Sequence, residues 1–158
     1  MRRHLVGLLV IIFAACTGSA SISQTVLTVA AASGGVEKTL TLEQMLEIDQ
    51  TEIRTSNEFV DGEKTFSGPM MRDVLRRFNI RDASFVRLTA ANDYQVEIAV
   101  QEFNDYDVIL ALEVDGVALS RRDKGPLWLI YPMSDHDELQ DPVYNSRLIW
   151  QVVRLEYW

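Results

Sequence analysis

One imidazole is available for chemistry in the body of the chain. The sequence holds 2 histidines and 1 cysteine; His4 and Cys16 lie near the N-terminus, which leaves His136. A Ser-His-Asp site would have to be built on His136, and no Gly-x-Ser-x-Gly elbow presents a serine to it. Asp135-His136-Asp137-Glu138 is the densest run of metal-ligating types. Adjacent residues in an extended loop point in divergent directions, and neither a thiolate nor a second imidazole is there to complete a transition-metal site. That run reads as a solvated acidic loop. Gly34-Gly35 lacks the Lys-Ser/Thr ending of a phosphate loop. Aromatic residues carry more information. Phe59, Tyr94 and Tyr131 lie beside strand–loop junctions, Trp128 lies within an apolar run, and Trp150 begins the last strand. Such residues are more often core than contact, but planar side chains beside polar loops can also stack a planar ligand. Asn92, Asp93 and Ser134 add hydrogen-bonding groups, and Arg147 adds a planar fork of donors.

The elements that would position them begin with Gly125-Pro126-Leu127-Trp128-Leu129-Ile130-Tyr131-Pro132. Its apolar run between two prolines predicts a strand buried on both faces that opens into the polar loop from Met133. Earlier, Thr25 to Ala32 predicts a first strand, and Thr41-Leu42-Glu43-Gln44 is a capping box for a short helix. Thr51 to Thr55 reads as extended, followed by a loop over 56–62. Ser67-Gly68-Pro69 is expected to open a helix with Pro69 in its first turn. Met70, Met71, Val74, Leu75 and Phe78 form its apolar stripe, and Asn79 can end it in the left-handed region. Val86/Leu88 and Tyr94/Val96/Ile98 alternate around Ala90-Ala91-Asn92-Asp93, which predicts a hairpin with a polar tip. Val100 and Phe103 anchor a helical turn. Val108 to Val114 predicts a central strand, Asp115-Gly116 a two-residue turn, and Val153, Leu155 and Tyr157 the inward face of the last strand. Roughly seven or eight strands with two or three helices, not in regular alternation, predict an α+β, β-rich mixed-sheet domain.

Composition narrows the partners. Arg2 and Arg3, the apolar run Leu5 to Ala15 and Thr17-Gly18-Ser19-Ala20 have the order of a secretory signal peptide over residues 1–20, leaving 21–158 as a single domain. Export to the periplasm follows, with a lipid anchor at Cys16 as a variant of it. The full chain carries a net charge of -8, and loss of the two leader arginines takes it to -10. That balance disfavours nucleic acid and anionic lipid. Beyond residue 20 no cysteine remains, so core burial rather than a disulfide must stabilise the domain.

The order of these pieces resembles the molybdopterin-binding domain of sulfite-oxidase-like enzymes. Thr65-Phe66-Ser67-Gly68-Pro69 followed by Asp73-Val74-Leu75 is similar to one family segment, and Asn92-Asp93-Tyr94 to its polar hairpin. Val114-Asp115-Gly116-Val117-Ala118-Leu119, then Gly125 to Pro132, resembles its "N-G-x-P-L…G-x-P-L" run, and Trp150 to Tyr157 its final strand. The resemblance spans nearly all of 21–158 and implies a sulfite-oxidase-like fold with a molybdopterin-like ligand. It also implies a cysteine thiolate on molybdenum, in the loop corresponding to about Arg54 to Gly62, where this chain has none. An arginine of the family's pattern is replaced by Trp128.

Without the thiolate, the reading that follows is non-catalytic binding of a pterin-like small molecule, with no metal expected. Short exported chains of this kind resemble periplasmic pterin-responsive proteins that signal through the ectodomain of a membrane sensor of the diguanylate cyclase/phosphodiesterase type. Phe59, Tyr94, Trp128 and Tyr131 are the expected ring contacts, and Asn92, Asp93, Ser134 and Arg147 the hydrogen-bonding groups. A molybdopterin-dependent oxidoreductase, or a structural domain with an empty cleft, are the alternatives.

Overall fold

The computed structural model describes residues 24–158; the leader pattern and Cys16 lie outside the described residues. A five-stranded sheet forms from β1 (Thr25–Ala31), β2 (Lys38–Thr41), β5 (Phe85–Ala90), β6 (Gln95–Ala99) and β11 (Val152–Tyr157), in the order β2-β1-β11-β5-β6. The contact between β1 and β11 is parallel and the others are antiparallel, so the sheet is mixed. A four-stranded sheet joins β3 (Gln50–Thr55), β4 (Lys64–Pro69), β8 (Glu113–Val114) and β9 (Val117–Ala118). Between the two lies a pair, β7 (Ile109–Ala111) with β10 (Trp128–Ile130). Short helices complete the fold: α1 (Leu42–Leu46), α2 (Met71–Arg77), α3 (Glu102–Asp105) and α4 (Pro142–Asn145), with a 3-10 turn at Asp137–Gln140. The domain is α+β, as its irregular alternation of elements predicts.

The central pair explains the apolar run that the sequence places there. Residues Leu127, Leu129 and Tyr131 enter the larger core with Leu27, Val86 and Leu155, whereas Trp128 and Ile130 enter a second core with Ile53 and Phe66. A strand with a core on each face has no polar side to show, so alternation vanishes. Gly68 lets β4 cross this pair closely. A Cβ there would stand 2.0 Å from the Leu110 carbonyl oxygen, which only glycine accommodates.

Local signals account for several ends. The Thr41 hydroxyl accepts from the Gln44 amide and the Gln44 side chain accepts from the Thr41 amide. Asn79 ends α2 at φ 59°, and the Asp115-Gly116 turn has φ 49° and 74°, the signature of a twisted two-residue hairpin.

Three expectations change. Pro69 closes β4 instead of opening α2, whose N-cap is Met70; proline suits a strand end as well as a first helical turn. The predicted strand over Val108–Val114 divides into β7 and β8, because Leu112 donates its amide to Ser67 between them and the chain passes from one sheet to the other. In β11 the register shifts between Val152 and Arg154, with Gln151 at φ 52°. That bulge turns Val153 outward and makes Val152 and Leu155 the buried pair.

Candidate functional site

Three segments meet around one cleft. The first is the loop after β3, where Asn57 caps its own turn: its Oδ1 accepts the Phe59 amide at 2.9 Å. That bond orients the Asn57 amide and leaves its Nδ2 buried without a partner among the described residues. The second is the β5–β6 hairpin tip. Asn92 Oδ1 accepts the Tyr94 amide at 3.2 Å, and Asp93 takes the left-handed conformation at φ 65° that the tight turn demands. The third is α4 and the chain after it. Asp141 caps α4 through the Val143 amide, Pro142 occupies its first turn, and the chain runs on to Trp150, which bridges to Trp128.

The cleft so formed has a volume of about 430 Å³, within the usual range for a small-molecule site. Phe59 and Trp150 form its aromatic wall, with ring centres 5.0 Å apart and planes at 70°. Tyr94 forms the rim and donates its hydroxyl to the Ser146 carbonyl at 2.9 Å, tying the hairpin tip to the chain after α4. Leu148 and Ile149 supply apolar surface, while Glu58, Asn92, Asn145 and Ser146 supply polar groups.

The expected site residues separate on this geometry. Phe59, Asn92 and Tyr94 line the cleft. Asp93 shapes the hairpin tip beside it. Trp128 and Tyr131 do not reach it: they are 2% and 0% exposed, and neither can offer a face to a ligand. Trp128 donates its indole N–H to the Leu148 carbonyl at 3.1 Å and meets Phe66 and Trp150 edge to face. Within the run Gly125 to Asp135, Trp128 and Leu129 therefore lie behind the cleft wall instead of forming it. The Leu129 amide donates to Ile149, which fixes the backbone that the cleft displays.

Ser134 and Arg147 are committed elsewhere. The Ser134 hydroxyl accepts the Ser56 amide at 3.0 Å, and its own amide donates to Thr55 Oγ1 at 3.0 Å. These bonds fasten the loop after β10 to the end of β3. Arg147 pairs with Glu102 and lies 4.9 Å over the Tyr144 ring. Glu102 also accepts the Tyr131 hydroxyl at 3.1 Å. Burial, reinforced by the Glu102 charge, holds the Tyr131 phenol far above its ordinary range. Burial lowers the Arg147 guanidinium more than any one neighbour raises it, but Glu102 and Tyr131 together make the net shift upward. This group, half-buried at Glu102 and Arg147, ties α3 to the end of β10 and to the chain after α4.

Sequence reasoning missed Glu58, Asn145 and Ser146, and read Trp150 only as the start of a strand. The pair Asp141-Pro142 was the available signal for α4: a capping aspartate followed by a first-turn proline.

Known proteins match this architecture in two ways. The family model for the oxidoreductase molybdopterin binding domain matches residues 23–134. Among solved structures, the sulfane dehydrogenase SoxCD from Paracoccus pantotrophus superimposes with a TM-score of 0.62 at 16% identity, over 84% of this chain and 37% of that one. The likeness is one of fold, and the chain spans little more than a third of that protein's length. No curated protein matches the chain. The family match ends before α4, so Asn145 to Trp150 belong to the part of the cleft outside it.

Proposed function

The chain belongs to the oxidoreductase molybdopterin binding domain family, and from that membership we propose that its cleft receives a pterin-type heterocycle without performing chemistry on it. One observation carries the proposal: an aromatic wall and amide side chains converge on a cleft whose neighbouring loop offers no thiolate. From the last residue of β3 the chain reads Thr55-Ser56-Asn57-Glu58-Phe59-Val60-Asp61-Gly62, and no cysteine occurs among the described residues.

The residues present fit a pterin ring and do not fit the rest of a molybdenum cofactor. A planar bicycle rich in donors and acceptors suits Phe59 and Trp150 as stacking surface, edged by Asn92 and Asn145. The lining contains no lysine or arginine to neutralise a phosphate. Among the described residues no group of three or more His, Cys, Asp or Glu side chains is arranged to hold a metal ion. Molybdenum chemistry needs ligands of the right softness and geometry around the metal, and the hydroxyls of Thr55, Ser56 and Ser134 are already bonded to one another and to backbone.

The same proposal includes an exported protein that passes ligand occupancy to the ectodomain of a membrane signalling protein. What supports it is the leader-like pattern of residues 1–20, together with a cleft built to bind and not to turn over. Tyr94 bridges the hairpin and the chain after α4, and that bridge is the proposed route from occupancy to the rim surface. Metal analysis of protein purified from a molybdenum-replete host separates the readings. Less than stoichiometric molybdenum, with saturable calorimetric binding of a tetrahydropterin, is the expected pair of results. Stoichiometric molybdenum would establish the oxidoreductase alternative. Co-purification with a sensor ectodomain only when the pterin is present tests the signalling step.

A further inference from the structure

We infer that Glu58 sets the specificity of this cleft: its carboxylate accepts the paired amino and ring N–H donors of the heterocycle, and the ligand it takes carries no phosphate. The inference rests on the pterin reading above and narrows it to a ligand class. Glu58 is the single charged residue of the lining. Its side chain is exposed and makes no ion pair or hydrogen bond among the described residues. Of the carboxylates flanking lining residues, Asp141 is committed to the Val143 amide at 2.9 Å, and Asp93 sits at the hairpin tip outside the lining.

Position argues for the same role. Glu58 directly precedes Phe59, whose amide is fixed on Asn57 Oδ1, so the carboxylate is carried by the loop that holds the aromatic wall. A ring lying on that wall would present its edge toward this loop. An amidine-type edge offers two parallel N–H groups, and a carboxylate has two oxygens to accept them in one plane. Replacing the amino group by an oxo group would set an acceptor against an acceptor.

Charge decides the second half. A phosphate monoester brings about two negative charges into a cleft whose one ionised group is also negative. Repulsion and desolvation then act together, with no cation to offset them. The neighbouring cations are engaged outside the lining. Lys124 Nζ lies 5.0 Å over the Trp128 ring and 6.0 Å from the Trp150 ring, and Arg147 is paired with Glu102. The net charge of -8 adds a repulsive background.

Calorimetry of the purified chain with three probes tests this: a tetrahydropterin bearing a hydroxyalkyl side chain, its phosphate monoester, and the 2-oxo analogue of the same ring. Wild type should prefer the unphosphorylated amino form over each of the others by about tenfold or more, the size expected for a hydrogen bond to a charged group. Glu58→Gln should shrink the amino-over-oxo preference to within about threefold. Glu58→Lys should reverse the discrimination against phosphate. Unchanged thermal melting identifies variants that have kept the fold. Equal binding of the amino and oxo forms by wild type, or a Glu58→Gln profile like wild type, overturns the Glu58 role while leaving a pterin receptor. Tighter binding of the phosphate form overturns the phosphate-free class. Failure of all three probes to bind overturns this inference and the pterin reading together.

Discussion

Phe59 and Trp150 meet edge to face at 5.0 Å, and the cleft opens beside that contact. Stacking a planar heterocycle there should resemble stacking a base on an aromatic side chain, where truncation to alanine costs about 1–3 kcal/mol. Phe59→Ala is therefore expected to weaken tetrahydropterin binding by about 10- to 100-fold, as read by calorimetry. Trp128 behaves differently despite its proximity in the fold. It is a core residue hydrogen-bonded to Leu148. Trp128→Phe should cost about 1–3 kcal/mol of folding stability, measured by urea unfolding, with a much smaller change in affinity than Phe59→Ala. Tyr131 has a pH signature. Its phenol is held neutral in the folded protein, whereas in the unfolded chain a tyrosine ionises near about pH 10. The raised folded value means that its contribution is complete below about pH 10 and is lost as the pH rises beyond it. Unfolding measured on both sides of that value should show an alkaline decline that is reduced in Tyr131→Phe. At neutral pH the same variant should lose about 1–2 kcal/mol, the worth of its bond to Glu102.

The elements explain why some of this could be read from the chain and some could not. The capping box at Thr41, the left-handed Asn79 and the Asp115-Gly116 turn are local motifs, and local chemistry decided them. The hairpin carrying Asn92 and Tyr94 was legible for the same reason, since strict alternation flanks a polar tip. Trp128 and Tyr131 were not placeable, because β10 has a core on each face and the sequence pattern carries no parity there. Ser134 and Arg147 looked available because their partners, Ser56 and Glu102, are distant in sequence. Glu58 gave no sign among so many acidic residues until the fold isolated it in the lining. Gly68 supplies the sharpest test at this scale. β4 crosses the central pair so closely that Gly68→Ala drives a Cβ against the Leu110 carbonyl. Neither backbone can yield easily, so the variant should lose at least about 1–3 kcal/mol or fail to accumulate as folded protein, as judged by circular dichroism and melting.

At the scale of the molecule, the fold is that of a molybdopterin-binding domain, and the proposal assigns its cleft to a ring. The five-stranded sheet, the four-stranded sheet and the pair between them give a rigid base. Three loops converge above it, and the half-buried Glu102–Arg147 pair, joined by the Tyr131 hydroxyl, ties one of them to α3. The proposed binding of a ring rests on what the loops carry: aromatic rings, amides and one carboxylate. The most direct measurement is a map of amide chemical shifts in the isotopically labelled protein during titration with an unphosphorylated tetrahydropterin. The account predicts saturable shifts centred on Glu58–Phe59, Asn92–Tyr94 and Asn145–Trp150. Shifts confined to another face, such as the surface around Thr28, Arg121 and Gln151, or no saturable shifts at all, would contradict it.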